Sequence, residues 1–188
     1  MHTSVKSLFL AHTQELINAC SNIDEFHSQV ETVSIQLAEA FAKGNKVLIA
    51  GNGGSAAEAQ HFSDELIGRY RSDRQAYPVI ALTADSMVLT CIGNDYGYDN
   101  IFSRQVDALG KAGDVFIGLT TSGDSQNILN AAESARKHEM KVIALCGNTG
   151  SLKDTADLAI ISPSSKAAIV QELHLHAIHL ICETLEPR

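Results

Sequence analysis

The stretch VLIAGNGGSAAEAQHF, residues 47–62, places a short apolar run directly before a glycine-rich turn and a helical pattern. The run Val47–Ala50 has the length of a buried strand, and the pattern after it predicts a helix over Ala56–Tyr70. The three glycines of the turn allow close backbone approach to a ligand. The first amides of a helix have no intrahelical partner and point at the same space. The stretch therefore predicts a phosphate site.

A second loop of this kind lies further along the chain. The segment TTSGDS, Thr120–Ser125, follows the apolar run Val115–Leu119 and again precedes a helical pattern. Its hydroxyls and backbone amides can both donate hydrogen bonds to an anion. Two such loops in one chain predict a phosphorylated small molecule as the ligand.

Composition limits the possible partners. A chain of 188 residues with 45% hydrophobic content is expected to form one domain, residues 1–188. The net charge of −8 argues against nonspecific binding to nucleic acid or to anionic membranes, since both need a basic surface. The four cysteines are scattered and form no CxxC pair, and no window approaches the roughly 18 apolar residues that a membrane span needs. We therefore expect a cytoplasmic protein with free thiols.

Apolar runs alternate with helical patterns after residue 46. The runs are Val47–Ala50, Pro78–Thr83, Val115–Leu119, Val142–Leu145 and Leu158–Ser162. Unalternating apolar strands separated by helices are typical of a parallel sheet covered on both faces. The sequence thus predicts an α/β fold, a three-layer α/β/α arrangement with a five-stranded parallel sheet. Both phosphate loops follow strands, and such sheets bind ligands at strand ends where the strand order reverses.

Helical spacing also marks both ends of the chain. Apolar residues from Val5 to Ala42 predict two N-terminal helices with a break at Asn22–Asp24, and Ala167–Leu185 predicts a final helix. The N-terminal pair carries more apolar positions than one small sheet needs. This excess indicates self-association through residues 1–43.

Several polar side chains could carry chemistry. His61 and Glu65 are four residues apart and share a helix face, and Gln171 and His179 are two turns apart on the last helix, where His176 points elsewhere. Imidazoles, a carboxylate and an amide oxygen suit zinc or a similar divalent ion. Ordinary surface pairs and core histidines are the alternatives for these residues.

Two further segments carry charge. Residues 93–99, GNDYGYD, predict a turn-rich loop that brings Asp95 to the same sheet edge. Arg69, Arg71 and Arg74 form a basic cluster that suits a phosphate or a neighbouring subunit, with a solvated helix end as the alternative.

The string GNGGSA also fits the loose GxGxxA dinucleotide pattern. That reading requires an acidic residue about 20 positions later at the end of the second strand. The first acid after the second strand is Asp85, which lies much too far along. A dinucleotide site would also leave the second loop without a role, so the sequence favours another phosphorylated small molecule.

Four segments, in this order, resemble the sugar isomerase (SIS) fold family over nearly the whole chain. They are GNGGSAAEAQHFSDELIGRY (51–70), GNDYGYDNIFSRQ (93–105), TTSGDS (120–125) and QELHLHAIH (171–179). The resemblance implies a flavodoxin-like sheet and a homotetramer. It also implies the interconversion of sedoheptulose 7-phosphate and D-glycero-D-manno-heptose 7-phosphate through an enediol or enediolate, on the route to lipopolysaccharide heptose.

The resemblance also implies roles for residues. Glu65 matches the catalytic base and His179 the acid, and His61, Glu65, Gln171 and His179 match the zinc ligands of metal-binding members. The implied substrate-binding residues are Asn52, Gly53, Ser55, Glu65, Arg69, Asp95, Thr120, Thr121, Ser122, Ser125 and Gln171.

The chain departs from the family pattern at one segment, and one non-catalytic branch of the family offers a rival function. Many members have an arginine where this chain has Ile169, and Lys166–Ala168 also departs from the usual polar pattern. The rival function is that of a non-catalytic SIS regulator that binds the bacterial replication initiator. Such a regulator lacks the carboxylate that this chain has at Glu65, so the sequence favours an enzyme.

Overall fold

The computed structural model describes residues 4–21 and 24–187, and a five-stranded parallel sheet forms its centre. The strands are β1 Val47–Gly51, β2 Val79–Ala81, β3 Val115–Thr120, β4 Lys141–Cys146 and β5 Leu158–Ile161. Their order across the sheet is β2-β1-β3-β4-β5. The predicted parallel sheet is confirmed. The edge strand β2 is shorter than the predicted run Pro78–Thr83, because it pairs only with β1.

Helices cover both faces of the sheet. They are α1 Val5–Cys20, α2 Asp24–Ala42, α3 Gly54–Ile67, α4 Ser86–Tyr96, α5 Ser103–Leu109, α6 Gln126–Lys137, α7 Leu152–Thr155 and α8 Ala167–Thr184. Buried side chains of α2, α3 and α8 form one core with the sheet, and those of α4 to α7 form the other. The predicted three-layer α/β/α architecture is confirmed.

The central strands explain why the two cores exist. In β1, Val47 and Ile49 belong to the core under α2, α3 and α8, while Leu48 and Ala50 belong to the opposite core. Successive side chains of a strand point to opposite faces. All five residues of β1 are buried, so the unbroken apolar run seen in the sequence reflects burial on both sides.

Two element boundaries differ from the sequence prediction. Helix α3 begins at Gly54 and ends at Ile67, not at Tyr70, because the Gly68 amide bonds to the Asp64 carbonyl and the chain then leaves the helix. The loop predicted from Gly93 was wrong, since α4 continues to Tyr96.

Local capping explains the length of α4. The Asp85 side chain accepts hydrogen bonds from the amides of Met87 and Val88, which starts the helix, and Gly97, with φ of 83°, ends it. A turn of 3-10 helix, Tyr98–Asn100, follows. At the N-terminus, α1 ends at Cys20 and α2 begins at Asp24, so part of the predicted break, residues 22–23, lies outside the described residues.

Helix α1 differs from the other helices in how little of it is buried. Ala19 is its one buried residue, while the apolar side chains of Val5, Leu8, Phe9, Leu10 and Ile17 are each more than half exposed. By contrast, α2 buries Phe26, Val30, Val33 and Leu37. No helix in residues 4–21 or 24–187 combines the length and apolar character that crossing a bilayer requires.

Ile169, which stands where the resembled family often has arginine, is buried in the core on the first turn of α8. This position therefore contributes packing rather than charge.

The turn after β1 leaves no room for a side chain at its first glycine. A β-carbon at Gly51 would lie 2.6 Å from the Ser55 carbonyl carbon. We predict that Gly51→Ala lowers the free energy of unfolding by about 1–3 kcal/mol, because the start of α3 must shift to relieve the overlap. Urea denaturation followed by circular dichroism measures this change.

Gly93→Ala is the matched control. Gly93 lies inside α4, and an added β-carbon would be 3.8 Å from the nearest atom, in Ile101. This variant should be as stable as the parent or gain up to about 1 kcal/mol from improved helix propensity. Equal stabilities for the two variants would contradict the proposed crowding at Gly51.

Candidate active site

Both predicted phosphate loops lie at the point where the strand order reverses. β1 and β3 are neighbours in the sheet, with Gly51 paired to Leu119, although β2 separates them in the chain. The glycine-rich turn follows β1 and Thr120–Ser125 ends β3 and leads into α6. Adjacent parallel strands end at the same edge, so the two loops form the sides of one crevice.

Helix starts supply donors to this crevice. Neither α3 nor α6 has a side-chain cap at its N-terminus, whereas Asp85 caps α4. Side chains thus leave both helix starts uncapped, although the Ser55 and Ala56 amides of α3 donate to the Asn52 and Gly53 carbonyls. The helix dipoles place partial positive charge at both starts. These local donors suit an anion even though the chain carries a net charge of −8.

The Thr120 hydroxyl forms hydrogen bonds with two other hydroxyl groups of the second loop. Its Oγ1 lies 3.0 Å from Ser125 Oγ and 3.3 Å from Ser122 Oγ, and it accepts a hydrogen bond from the Gly123 amide at 3.2 Å. Thr120 is buried, Ser125 is half-buried and Ser122 is exposed. Buried Thr120 therefore holds the more accessible hydroxyls of Ser122 and Ser125 at the opening of the crevice.

The Asn52 side chain is fixed by two residues that sequence reasoning missed. Its amide exchanges two hydrogen bonds of 2.9 Å with the amide of buried Asn127, and its Oδ1 accepts a third, also 2.9 Å, from the Tyr98 hydroxyl. A cavity of about 390 Å³ lies beside these groups and is lined in part by Gly53 and Thr83. In the sequence, the signal for Asn127 was its position in the helix predicted after TTSGDS. The signal for Tyr98 was its position in the segment 93–105.

Helices α3 and α8 lie side by side and run in the same direction. Three contacts follow one another in the same order along both helices. They join Gly54 to Gln171, Glu58 to His174, and His61 to His179. Both helices follow the carboxyl end of a strand, which explains their common direction. Their facing polar side chains are therefore brought together in pairs.

The most concentrated of these contacts joins His61, Glu65 and His179. The Nε2 atoms of the two imidazoles are 2.9 Å apart, and His61 Nε2 is 3.6 Å from Glu65 Oε1. One donor atom from each of the three residues lies within 4.8 Å of the others. All three side chains are half-buried, so they are ordered by packing and still reachable by a ligand.

This donor set fits a divalent metal ion. Two imidazoles and a carboxylate are common zinc ligands, and bonds of ~2.0–2.1 Å in a tetrahedron place ligand atoms ~3.4 Å apart. The separations among the three residues are close to that spacing. Asp64 Oδ1 lies 3.3 Å from His61 Nδ1 and can orient this ring, as carboxylates often do for metal-binding histidines.

Gln171, the fourth predicted ligand, lies elsewhere in the single chain. Its amide packs on Gly54, where a β-carbon would be 2.9 Å from Gln171 Cδ. Gly54 precedes His61 by seven residues, roughly 10 Å along α3. Gln171 thus lies beside the glycine-rich turn, at the start of α3.

Two predicted substrate residues lie at the margin of these groups. Arg69 is exposed just beyond the end of α3. Asp95 is exposed on α4, where its carboxylate accepts a 2.7 Å hydrogen bond from the Asn94 side chain.

The two buried thiols, Cys146 and Cys182, are unsuited to this chemistry. Burial raises the pKa of Cys182 to about 12 and that of Cys146 to about 11, and the charge of Glu65 adds to the effect at Cys182. Both thiols are therefore protonated at neutral pH and are poor ligands and nucleophiles. Cys20 and Cys91 are exposed in the single chain.

We predict that iodoacetamide at pH 8 leaves Cys146 and Cys182 unmodified in the native protein, because a raised pKa keeps each thiol neutral and burial blocks access. Peptide mass spectrometry measures the labelling site by site. Denatured protein, labelled at all four cysteines, is the control. Labelling of Cys182 at the rate of Cys91 would contradict the buried environment.

The chain resembles known proteins over most of its length. The profile of the SIS domain family matches residues 11–147. The phosphoheptose isomerase of Citrifermentans bemidjiense is 45% identical over 187 residues, covering 99% of this chain and 96% of its own. That of Pelobacter propionicus is 47% identical over 155 residues, 82% of each chain. A solved phosphoheptose isomerase structure from Francisella tularensis has a TM-score of 0.93 at 35% identity, covering 97% of this chain and 98% of that one.

Proposed function

The chain belongs to the SIS-domain family and, within it, to the phosphoheptose isomerases, and we propose that it interconverts sedoheptulose 7-phosphate and D-glycero-D-manno-heptose 7-phosphate. The observation that carries this proposal is the meeting of Glu65 and His179 across the α3–α8 contact. The reaction is an aldose–ketose isomerisation that would supply the heptose of lipopolysaccharide.

The proton transfers of this reaction match the two side chains. In the direction from ketose to aldose, the Glu65 carboxylate takes a proton from C1, giving an enediol or enediolate, and returns it to C2. The His179 imidazole exchanges protons with the oxygens, so that the C2 oxygen gains a proton and the C1 hydroxyl loses one. Each proton taken is returned, and the sugar is isomerised without net oxidation.

The distance between the phosphate crevice and these side chains suits an extended sugar phosphate. From Ser55 to Glu65 the helix α3 advances ten residues, about 15 Å. The phosphate would be held by the uncapped helix starts and the hydroxyls of Thr120, Thr121, Ser122 and Ser125. Asn52, Gly53, Ser55, Gln171, Arg69 and Asp95 complete the proposed sugar-binding set. Phosphate binding remote from C1 and C2 then helps to orient the reacting carbons.

We further propose that zinc binds His61, Glu65 and His179. The resemblance implies Gln171 as the fourth ligand, although in the single chain its amide packs on Gly54. A zinc ion, when bound, stabilises negative charge on a substrate oxygen. Glu65 has two carboxylate oxygens, of which Oε1 faces His61. The second oxygen lets one side chain serve as both ligand and base.

The assembly we propose is a homotetramer of one SIS domain, residues 1–188, with residues 1–43 in the subunit contacts. The exposed apolar side chains of α1 support this, because several large apolar side chains left exposed on one helix are typical of an interface. Free cysteines support a reducing compartment, the cytoplasm. Nothing favours the alternative of a non-catalytic regulator, and the half-buried Glu65 argues for an enzyme.

We predict that Glu65→Gln and His179→Asn each lower kcat by at least about a thousandfold, since each removes a proton-transfer group. The assay follows conversion of sedoheptulose 7-phosphate in deuterated water, with deuterium entering the product at the carbon that exchanges its proton. Repeating it with a chelator reports whether a metal is needed.

His176→Asn is the control for these variants, because His176 lies on the same helix and is exposed away from the three clustered side chains. Its kcat should stay within about twofold of the parent. Retained turnover or label in Glu65→Gln would remove that residue from the role of base.

We predict that Leu8→Glu combined with Phe9→Glu dissociates the assembly, because burying two unpaired charges in an apolar interface is unfavourable. Light scattering coupled to size-exclusion chromatography gives the mass. The exposed α6 residue Glu133, changed to Gln, should leave the mass unchanged. A tetramer that survives both α1 substitutions would show that this helix lies outside the interface.

A further inference from the structure

Arg74 has a buried guanidinium at the end of helix α3. Its side chain is only 4% exposed, although it belongs to a loop whose neighbours Arg71 and Asp73 are exposed. An arginine is rarely buried unless its donors are satisfied. The contacts of this side chain therefore point to a specific role.

The Arg74 guanidinium donates hydrogen bonds to backbone carbonyls of the last turn of α3. Nη2 donates to the Glu65 carbonyl at 2.8 Å, and Nη1 donates to the Leu66 carbonyl at 2.9 Å and to the Gln75 carbonyl at 3.1 Å. The last carbonyls of a helix have no intrahelical partner and carry partial negative charge. Arg74 thus caps α3 at the very residue proposed as the base.

The same side chain connects α3 to the end of α8. Arg74 Nε makes no hydrogen bond but forms an ion pair at 3.4 Å with Glu186 Oε1, just beyond the end of α8. Its guanidinium also lies over the Tyr77 ring at 4.8 Å, and the Tyr77 hydroxyl donates to the Leu185 carbonyl at 3.1 Å. Hydrogen bonds from the Ser72 and Arg71 amides to Glu186 lower the pKa of this carboxyl, with Ser72 the larger cause.

We infer that Arg74 is a positioning residue that sets the Glu65 backbone relative to the helix carrying His179. This inference rests on the proposed function, in which those two side chains share the proton transfers. Arg74 contacts the Glu65 carbonyl and not its carboxylate, so it acts through the last turn of α3. Its planar fork holds two successive carbonyls at once, which a lysine ammonium does not reproduce.

The test compares Arg74→Lys, Arg74→Ala and Arg136→Lys, each assayed at a temperature where circular dichroism shows the variant fully folded. Arg136 is the matched control, since it donates to the Thr155 carbonyl at the end of α7, on the opposite face of the sheet. For Arg74→Lys we expect kcat to fall by about 10–100-fold with KM within about twofold, because small displacements of a reacting group cost rate. Arg136→Lys should match the parent.

Chemical rescue adds a second measurement. Millimolar guanidinium should restore part of kcat in folded Arg74→Ala and none in Glu65→Gln. Parent-like kcat in folded Arg74→Lys and Arg74→Ala would overturn the inference, as would a failure of both variants to fold, which would assign Arg74 to stability alone. A parent protein without isomerase activity would instead refute the proposed function.

Discussion

The side-by-side packing of α3 and α8 is the contact on which the candidate active site depends. Each helix buries one side against the sheet, with Phe62 and Leu66 from α3 and Ile178 and Ile181 from α8 in the same core. Because both run in the same direction, residues one or two turns apart on α3 face residues equally spaced on α8. The apolar packing thus fixes the polar contacts, including that between His61 and His179.

Local polarity and overall charge act in opposite directions in this protein. A net charge of −8 opposes the approach of a phosphate ester. The uncapped starts of α3 and α6 outweigh that effect within a few ångströms, because backbone dipoles act at short range while solvent and salt largely screen the distant carboxylates. The strand order places these two helix starts together, so the proposed anion site is a product of the topology.

The sequence predicted the regular elements more reliably than it predicted the loops between them. The strands, the phosphate loops and the i, i+4 pair His61 and Glu65 follow from periodicity and spacing, which are local properties. The prediction was wrong at Gly93, because the cap Asp85 and the stop Gly97 outweigh the turn-forming residues between them. The contacts of Tyr98 and Asn127 with Asn52 depend on loops that meet across the sheet edge, and no local pattern encodes them.

The sequence by itself determined the α/β class, the positions of the two proposed anion-binding loops and which residue types could carry the chemistry. Family resemblance added the roles of individual residues, and relatives of high identity support the family. Only the tertiary structure decided that His179 meets His61 across 118 residues, that Gln171 packs on Gly54, and that Arg74 caps the helix bearing Glu65. These contacts depend on how the helices pack on a shared core. The periodicity of apolar residues predicts which face of a helix is buried, but not which other helix lies beside that face.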